Sequence, residues 1–218
     1  MKEQIEAVRR FNRVVTVGLA ERELLDRASD ELAESMLMPL TAGQRERLVA
    51  AMAEVEKLVI ASLVRVEIAD PRSAEVRYCL RSYFDELGRR FDAGFDLSQS
   101  ISASDEEMTL PSGLLLLANV QGSPVGCGGL KFHPETGIAE VKRMWVSQSF
   151  RGLGLSRRLL ECLVKEASAR GIRQLRLETN HALAEARHLY ETAGFVEVGA
   201  FSDEPHAHHW FQRDLHQG

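Results

Sequence analysis

The sequence predicts an α/β protein preceded by an all-helical segment, and three observations carry that prediction. Apolar residues recur at helical spacing, with no strand pattern, up to about Ala61. From Leu63 the period shortens to two, because Leu63-Val64-Arg65-Val66-Glu67-Ile68 alternates as a half-buried strand does. Further on, the apolar run at 138–146 passes through a turn with two glycines into a long amphipathic helix. That order builds a backbone cradle for an anion. The chain therefore divides into a helical segment, 1–62, and an α/β domain, 63–218.

In the first segment Ile5, Val8, Phe11 and Val15 mark one helix, and Glu21 to Leu40 continues with Leu24, Leu25, Leu32 and Leu37. Thr41 reads as an N-cap with Gln44 as its capping-box partner, opening a helix over 42–61 with Leu48, Met52, Val55 and Val59 on one face. After the 63–68 strand, Asp70-Pro71 ends the run, and 72–91 reads as helix. Residues 96–112 are rich in Ser, Asp and Glu and read as a loop. Strands follow at 114–120 and 125–132, joined by Gln121-Gly122-Ser123-Pro124. Gly137 leads into the strand at 138–146, and the helix after the glycine turn runs to Arg170, where Gly171 caps it. A strand at 172–178, a helix at 182–192 closed by Gly194, and strands at 195–201 and 208–215 complete the chain.

Composition narrows the function. The 218 residues are 44% apolar and carry a formal charge of -5, which gives no footprint for nucleic-acid binding. Cys79, Cys127 and Cys162 lack metal-ligand spacing and read as small buried hydrophobes in a reducing compartment. No apolar run approaches the roughly 18 residues that span a bilayer. The start, MKEQIEAVRRFNR, has no secretory core, so a cytoplasmic location is expected. His206, His208 and His209 lack a companion cysteine, and no metal is expected. Trp145 and Trp210 read as core or cofactor-edge aromatics.

The glycine turn selects among phosphate-binding loops. A Walker loop needs Gly-Lys-Ser/Thr after four intervening residues, which is missing here. A Rossmann fingerprint needs a third glycine where Arg157 stands, and should follow its domain's first strand. Arg151-Gly152-Leu153-Gly154-Leu155-Ser156 instead resembles the Arg/Gln-x-x-Gly-x-Gly/Ala signature of GNAT-family N-acetyltransferases, with Ser156 in place of the usual last Gly or Ala. Glu140-Val-Lys-Arg-Met-Trp-Val146 resembles that family's fourth strand. Ala186-Arg-His-Leu-Tyr-Glu-Thr-Ala-Gly-Phe195 resembles its helix-to-strand element, with Leu183 where an Asn often stands and Asn180 nearby. The resemblance runs from about Val64 to Leu215.

It implies the GNAT fold, a mixed, mostly antiparallel sheet flanked by helices, and transfer of an acetyl group from acetyl-CoA, as co-substrate, to a primary amine of a small molecule, amino acid or protein. Arg151, Gly152, Leu153, Gly154, Leu155 and Ser156 would hold the pyrophosphate. Met144, Trp145 and Val146 would offer backbone to the pantetheine arm, with Asn180 beside them. Tyr190 matches the general acid to the departing thiolate. Glu140 matches a strand glutamate that often acts as general base, and its competing reading is a carboxylate salt-bridged to Lys142 or Arg143. The charges around 77–107, including Arg77, Arg90, Asp105 and Glu106, read as a solvated helix face.

The N-terminal segment resembles another family. Val8 to Arg13 looks like the opening helix, and residues 30–52 like the closing helices, of MarR-type regulators, whose winged helix would have to fit in about fifteen residues. No recognition helix remains, so no nucleic acid is expected. Terminal helices are where MarR proteins dimerise, which implies a homodimer through this segment; a helical cap on the chain's own acetyltransferase domain is the alternative. The competing function is an acyl-CoA-binding sensor with little turnover, derived from such a regulator.

Overall fold

The computed structural model describes residues 2–15, 32–92, 94–96, 98, 100, 101 and 103–215. The helical expectation around Leu24 and Leu25, and the side chain of Val15, lie outside what is described. The chain forms two compact units, Met1–Val64 and Arg65–Gly218.

In the first unit α1 (Lys2–Val15) packs on α2 (Ala42–Ser62), with helical backbone also at 32–37. Thr41 caps α2 as its sequence predicts. Its hydroxyl accepts from the Gln44 N–H at 3.4 Å, and the Gln44 carbonyl accepts from the Thr41 N–H at 2.9 Å. Val8, Ala33, Leu37 and Met52 form a small core against Ile5, Phe11 and Leu48. The expected α2 face is only partly used: Met52 is buried, whereas Val55 and Leu58 are exposed.

The second unit is a seven-stranded sheet in the order β1-β2-β3-β4-β5-β7-β6. Its strands are β1 (Arg65–Ile68), β2 (Gly113–Val120), β3 (Ser123–His133), β4 (Ile138–Val146), β5 (Gln174–Thr179), β6 (Val196–Val198) and β7 (His209–Asp214). Every pairing is antiparallel except β4 with β5. Three helices flank it: α3 (Ala74–Arg90), α4 (Leu155–Ala169) and α5 (Ala184–Thr192). The β2–β3 hairpin turns on Gln121 and Gly122, at φ 49° and 83°, the positive pair that a two-residue turn requires. Leu155, Leu159, Leu160, Leu163 and Ala167 bury one helical stripe of α4. Val76, Cys79, Leu80 and Leu87 do the same for α3, the first three packing with Leu115, Leu117 and Cys127.

One irregularity positions the site. Parallel pairing of β4 and β5 ends after Ile138↔Gln174, Ala139↔Leu175 and Glu140↔Arg176. On the other side, Cys127↔Trp145 is followed by Gly129↔Lys142, so β4 spends three residues where β3 spends two. This bulge places Arg143 at φ 58° and swings the end of β4 away from β5. β3 meets it with bare backbone: a Cβ on Gly128 would lie 2.6 Å from the Met144 sulfur, and one on Gly129 1.8 Å from Met108 Cε.

Candidate functional site

The parted strands open a fork, and a cavity lies on each side of it. The first encloses about 1040 Å³ with its mouth and is lined by Met144, Trp145, Val146, Arg151, Gly152 and Ser156 of the sequence-predicted set. Leu153, Gly154 and Leu155 complete the loop without lining the cavity. Gly152 and Gly154 sit at φ 75° and 77°, and Gly154 is the N-cap of α4 without a capping side chain. From Gly152 to Arg157 no backbone N–H donates a hydrogen bond among the described residues; the helical ladder begins with Arg158 N–H to Gly154 O at 3.0 Å. A row of open donors at a helix N-terminus, where the helix dipole adds positive potential, is a seat for an anion such as a pyrophosphate.

Sequence reasoning missed the charges around this cavity. Glu86 on α3 accepts from Arg151, from Trp145 Nε1 at 3.1 Å and, weakly, from Arg90 at 3.4 Å. Burial raises its pKa, but these donors outweigh burial and hold it below the ordinary carboxylate value. Arg90 pairs with Glu185 on α5 and donates to the Ala182 carbonyl at 2.6 Å. Arg77 and Arg72 likewise pair with Asp105 and Glu106. The expected solvated face is thus threaded with ion pairs: Arg72–Glu106 stays exposed, whereas Glu86–Arg151, Glu86–Arg90 and Arg90–Glu185 border the cavity. The signal was helical spacing: Glu86 and Arg90 stand one turn apart on α3.

The second cavity encloses about 820 Å³ with its mouth, and its wall includes Phe84, Lys142, Arg143, Glu178, Glu204 and His206. The two cavities meet at a common collar of Tyr83, Leu87, Met144, Leu183, Ala186 and Tyr190. Tyr190 occupies the last turn of α5, which Gly194 ends at φ 81°, returning the Phe195 N–H to the Tyr190 carbonyl at 3.0 Å. Its ring packs on Phe195 and Phe211, with 6% of the residue exposed. Burial pushes its phenol up to about 12, so it stays protonated at neutral pH. The hydroxyl has no hydrogen-bond partner among the described residues.

Glu140 and Asn180 are placed differently from Tyr190. Glu140 stands in the last paired rung of β4 and β5, short of where the strands part, and lines neither cavity. It bonds His133 Nε2 at 2.9 Å and Lys142 Nζ at 3.1 Å. Burial raises its pKa, and Lys142 and His133 more than reverse that, leaving it lowered. Lys142, two residues on and past the rung, carries its ammonium to Glu178 at the second cavity. Asn180 lines the second cavity, which it shares with Met144 but not with Trp145 or Val146. Its amide is committed, donating to His206 O at 2.8 Å and accepting from Ala182 N–H at 2.9 Å.

The histidines near the C-terminus spread apart. His208 packs edge-on to His181 at 4.4 Å, and His209 bonds Glu197 at 2.6 Å. Among the described residues no three His, Cys, Asp or Glu side chains converge on a metal position, and no helix is long and apolar enough to cross a membrane.

Comparison with known proteins follows the same outline. The sequence matches the acetyltransferase (GNAT) family over residues 80–195. It is 40% identical over 96 residues to the IAA acetyltransferase of Azospirillum brasilense, a match spanning 44% of this chain and 63% of that protein. It is 38% identical over 80 residues to an uncharacterised N-acetyltransferase of Bacillus subtilis, spanning 36% and 52%. The chain thus matches less than two-thirds of the length of these relatives. A candidate acyl-CoA N-acyltransferase of Klebsiella pneumoniae superposes at a TM-score of 0.58 and 26% identity, over 71% of this chain and 99% of that one. A GNAT-family acetyltransferase of Staphylococcus aureus superposes at 0.60 and 19% identity, over 70% and 99%, a likeness of fold alone.

Proposed function

The chain belongs to the acetyltransferase (GNAT) family, and from that premise we propose that it moves an acetyl group from acetyl-CoA to a primary amine of a small molecule, amino acid or protein. One observation supports this reading above the rest: the cavity with the open backbone donors and the cavity behind the fork meet at Tyr190. A thioester reaching along the first cavity would present its carbonyl where an amine in the second can attack.

The roles follow from placement. The open N–H groups between Gly152 and Arg157 hold the pyrophosphate, and the end of β4, paired with β3 but parted from β5, guides the arm. The neutral amine attacks the carbonyl carbon, the C–N bond forms as the C–S bond breaks, the Tyr190 hydroxyl gives its proton to the departing sulfur, and the proton shed by the new amide nitrogen passes through solvent to restore the Tyr190 phenol. Glu140, in the last paired rung and outside both cavities, acts as a positioning residue that fixes Lys142 rather than as the base that touches the amine. Asn180 ties the end of β5 to the 206 backbone and shapes the acceptor side.

The test is release of free CoA from acetyl-CoA, followed with a thiol reagent across a panel of amines and amino acids. Turnover with an acceptor supports the enzyme. Tight CoA binding with no turnover on any acceptor, unchanged by Tyr190→Phe, would favour the acyl-CoA sensor instead. For the N-terminal unit we propose homodimerisation; Met38 and Leu58 are 71% and 53% exposed there, and sedimentation as a monomer would refute it.

A further inference from the structure

We infer that the cavity behind the fork takes a primary amine carried on an aromatic or flat apolar body, with Glu204 as the anion that meets its ammonium group. This deepens the acetyl-transfer reading, on which it rests, by naming the acceptor class; the bound ammonium gives up one proton to solvent before it attacks as the neutral amine.

One wall is a run of rings that starts at Tyr83 in the collar. Tyr83 lies 5.2 Å from Phe84, and Phe84 stacks on Phe95 at 5.7 Å, within 7° of parallel. Phe95 meets Phe91 edge-on at 5.9 Å and His206 at 4.8 Å. Ring faces of this kind pack against flat apolar bodies and attract cations through their quadrupoles.

Glu204 stands on the same wall and is 9% exposed. Its Oε2 accepts from Ser100 Oγ at 3.0 Å and from the Ile101 N–H at 2.6 Å, and its Oε1 from the His206 N–H at 3.3 Å. All three donors are neutral. The cations of the cavity are engaged elsewhere: Lys142 with Glu140 and Glu178, Arg143 with the Ala103 carbonyl and the face of Phe84 at 5.8 Å. Among the described residues Glu204 is therefore the cavity carboxylate without a cationic partner. Buried carboxylates are ordinarily paired, because removing one from water is costly. Two residues on, His206 Nε2 is also buried without a hydrogen-bond partner among the described residues. An amine supplies both the charge and the N–H donors that this corner lacks.

Calorimetric titration of the full-length protein with phenethylamine, phenethyl alcohol and ethylamine tests the inference. Phenethylamine should bind at least about tenfold more tightly than the alcohol, the size of one charge-assisted hydrogen bond, and also more tightly than ethylamine. Glu204→Gln should lower amine affinity about tenfold and leave the alcohol unchanged. Equal binding of amine and alcohol, which needs no variant, overturns the role of Glu204. Equal binding of phenethylamine and ethylamine overturns the aromatic wall, and no binding of phenethylamine overturns the whole inference. CoA titrated in parallel separates the two readings: failure of CoA to bind would strike the acetyl-transfer reading and leave the amine result standing.

Discussion

Replacing Tyr190 by Phe removes one oxygen from the collar between the two cavities. The ring contacts at 5.9 Å to Phe195 and 6.1 Å to Phe211 survive, and the hydroxyl gives up no protein hydrogen bond among the described residues. Stability at neutral pH should therefore change by less than about 1 kcal/mol. A general acid contributes on the order of 100-fold or more, so kcat should fall by at least that factor, about 3 kcal/mol of barrier, while CoA affinity holds. A second signature is alkaline. Burial raises the folded phenol to about 12, above its ordinary 10.0, so the stability it confers is complete below pH 10 and lost as pH rises through 12. Between those limits the parent protein should lose up to about 3 kcal/mol relative to the Phe variant. Steady-state kinetics with a responsive acceptor and urea unfolding at pH 8 and above read the two effects. A kcat within about twofold of the parent would refute the acid role.

Three further outcomes are expected. Gly154→Ala meets no atom within 4 Å but forces φ 77° on an L-residue, at a cost of about 1–2 kcal/mol; CoA titration should show weaker binding as the loop relaxes. Lys142→Met strands the Glu178 and Glu140 carboxylates, and should destabilise by about 3–5 kcal/mol in urea unfolding, less when Glu178→Gln accompanies it. Because the folded pKa of Glu140 is lowered, its contribution is present above its ordinary value of 4.5 and lost as pH falls through the folded value. Glu140→Gln should therefore flatten the acid limb of the melting temperature below pH 4.5.

Local signals survived into the structure far better than distant ones. The loop at 151–156, the Thr41 capping box and the glycine that ends α5 each depend on residues within one turn of one another, so their spacing was readable. The β4 range, 138–146, was readable because alternation and length agree there. Glu140 was harder, because a glutamate on this strand is equally legible in the paired stretch or in the parted one; the register Glu140↔Arg176 puts it in the paired stretch. Glu204 carried little sequence signal, since two of its three donors, Ser100 and Ile101, stand 104 and 103 residues away. The pairing of Arg90 with Glu185 is equally remote, and composition alone made that charge look solvated. Burial of Val55 was expected from helical period, which states which residues share a face but not how much of that face a neighbour covers.

The collar shared by the two cavities divides the molecule into a frozen part and a tunable one. Any change at Tyr83, Leu87, Met144, Leu183, Ala186 or Tyr190 alters both rooms at once, so variation there is penalised twice. Phe91, Phe95, Glu204 and His206 border only the room behind the fork. A lineage could exchange these for other side chains and acquire a new acceptor while its handling of the acyl donor stayed untouched. Libraries aimed at altered selectivity belong on that far wall.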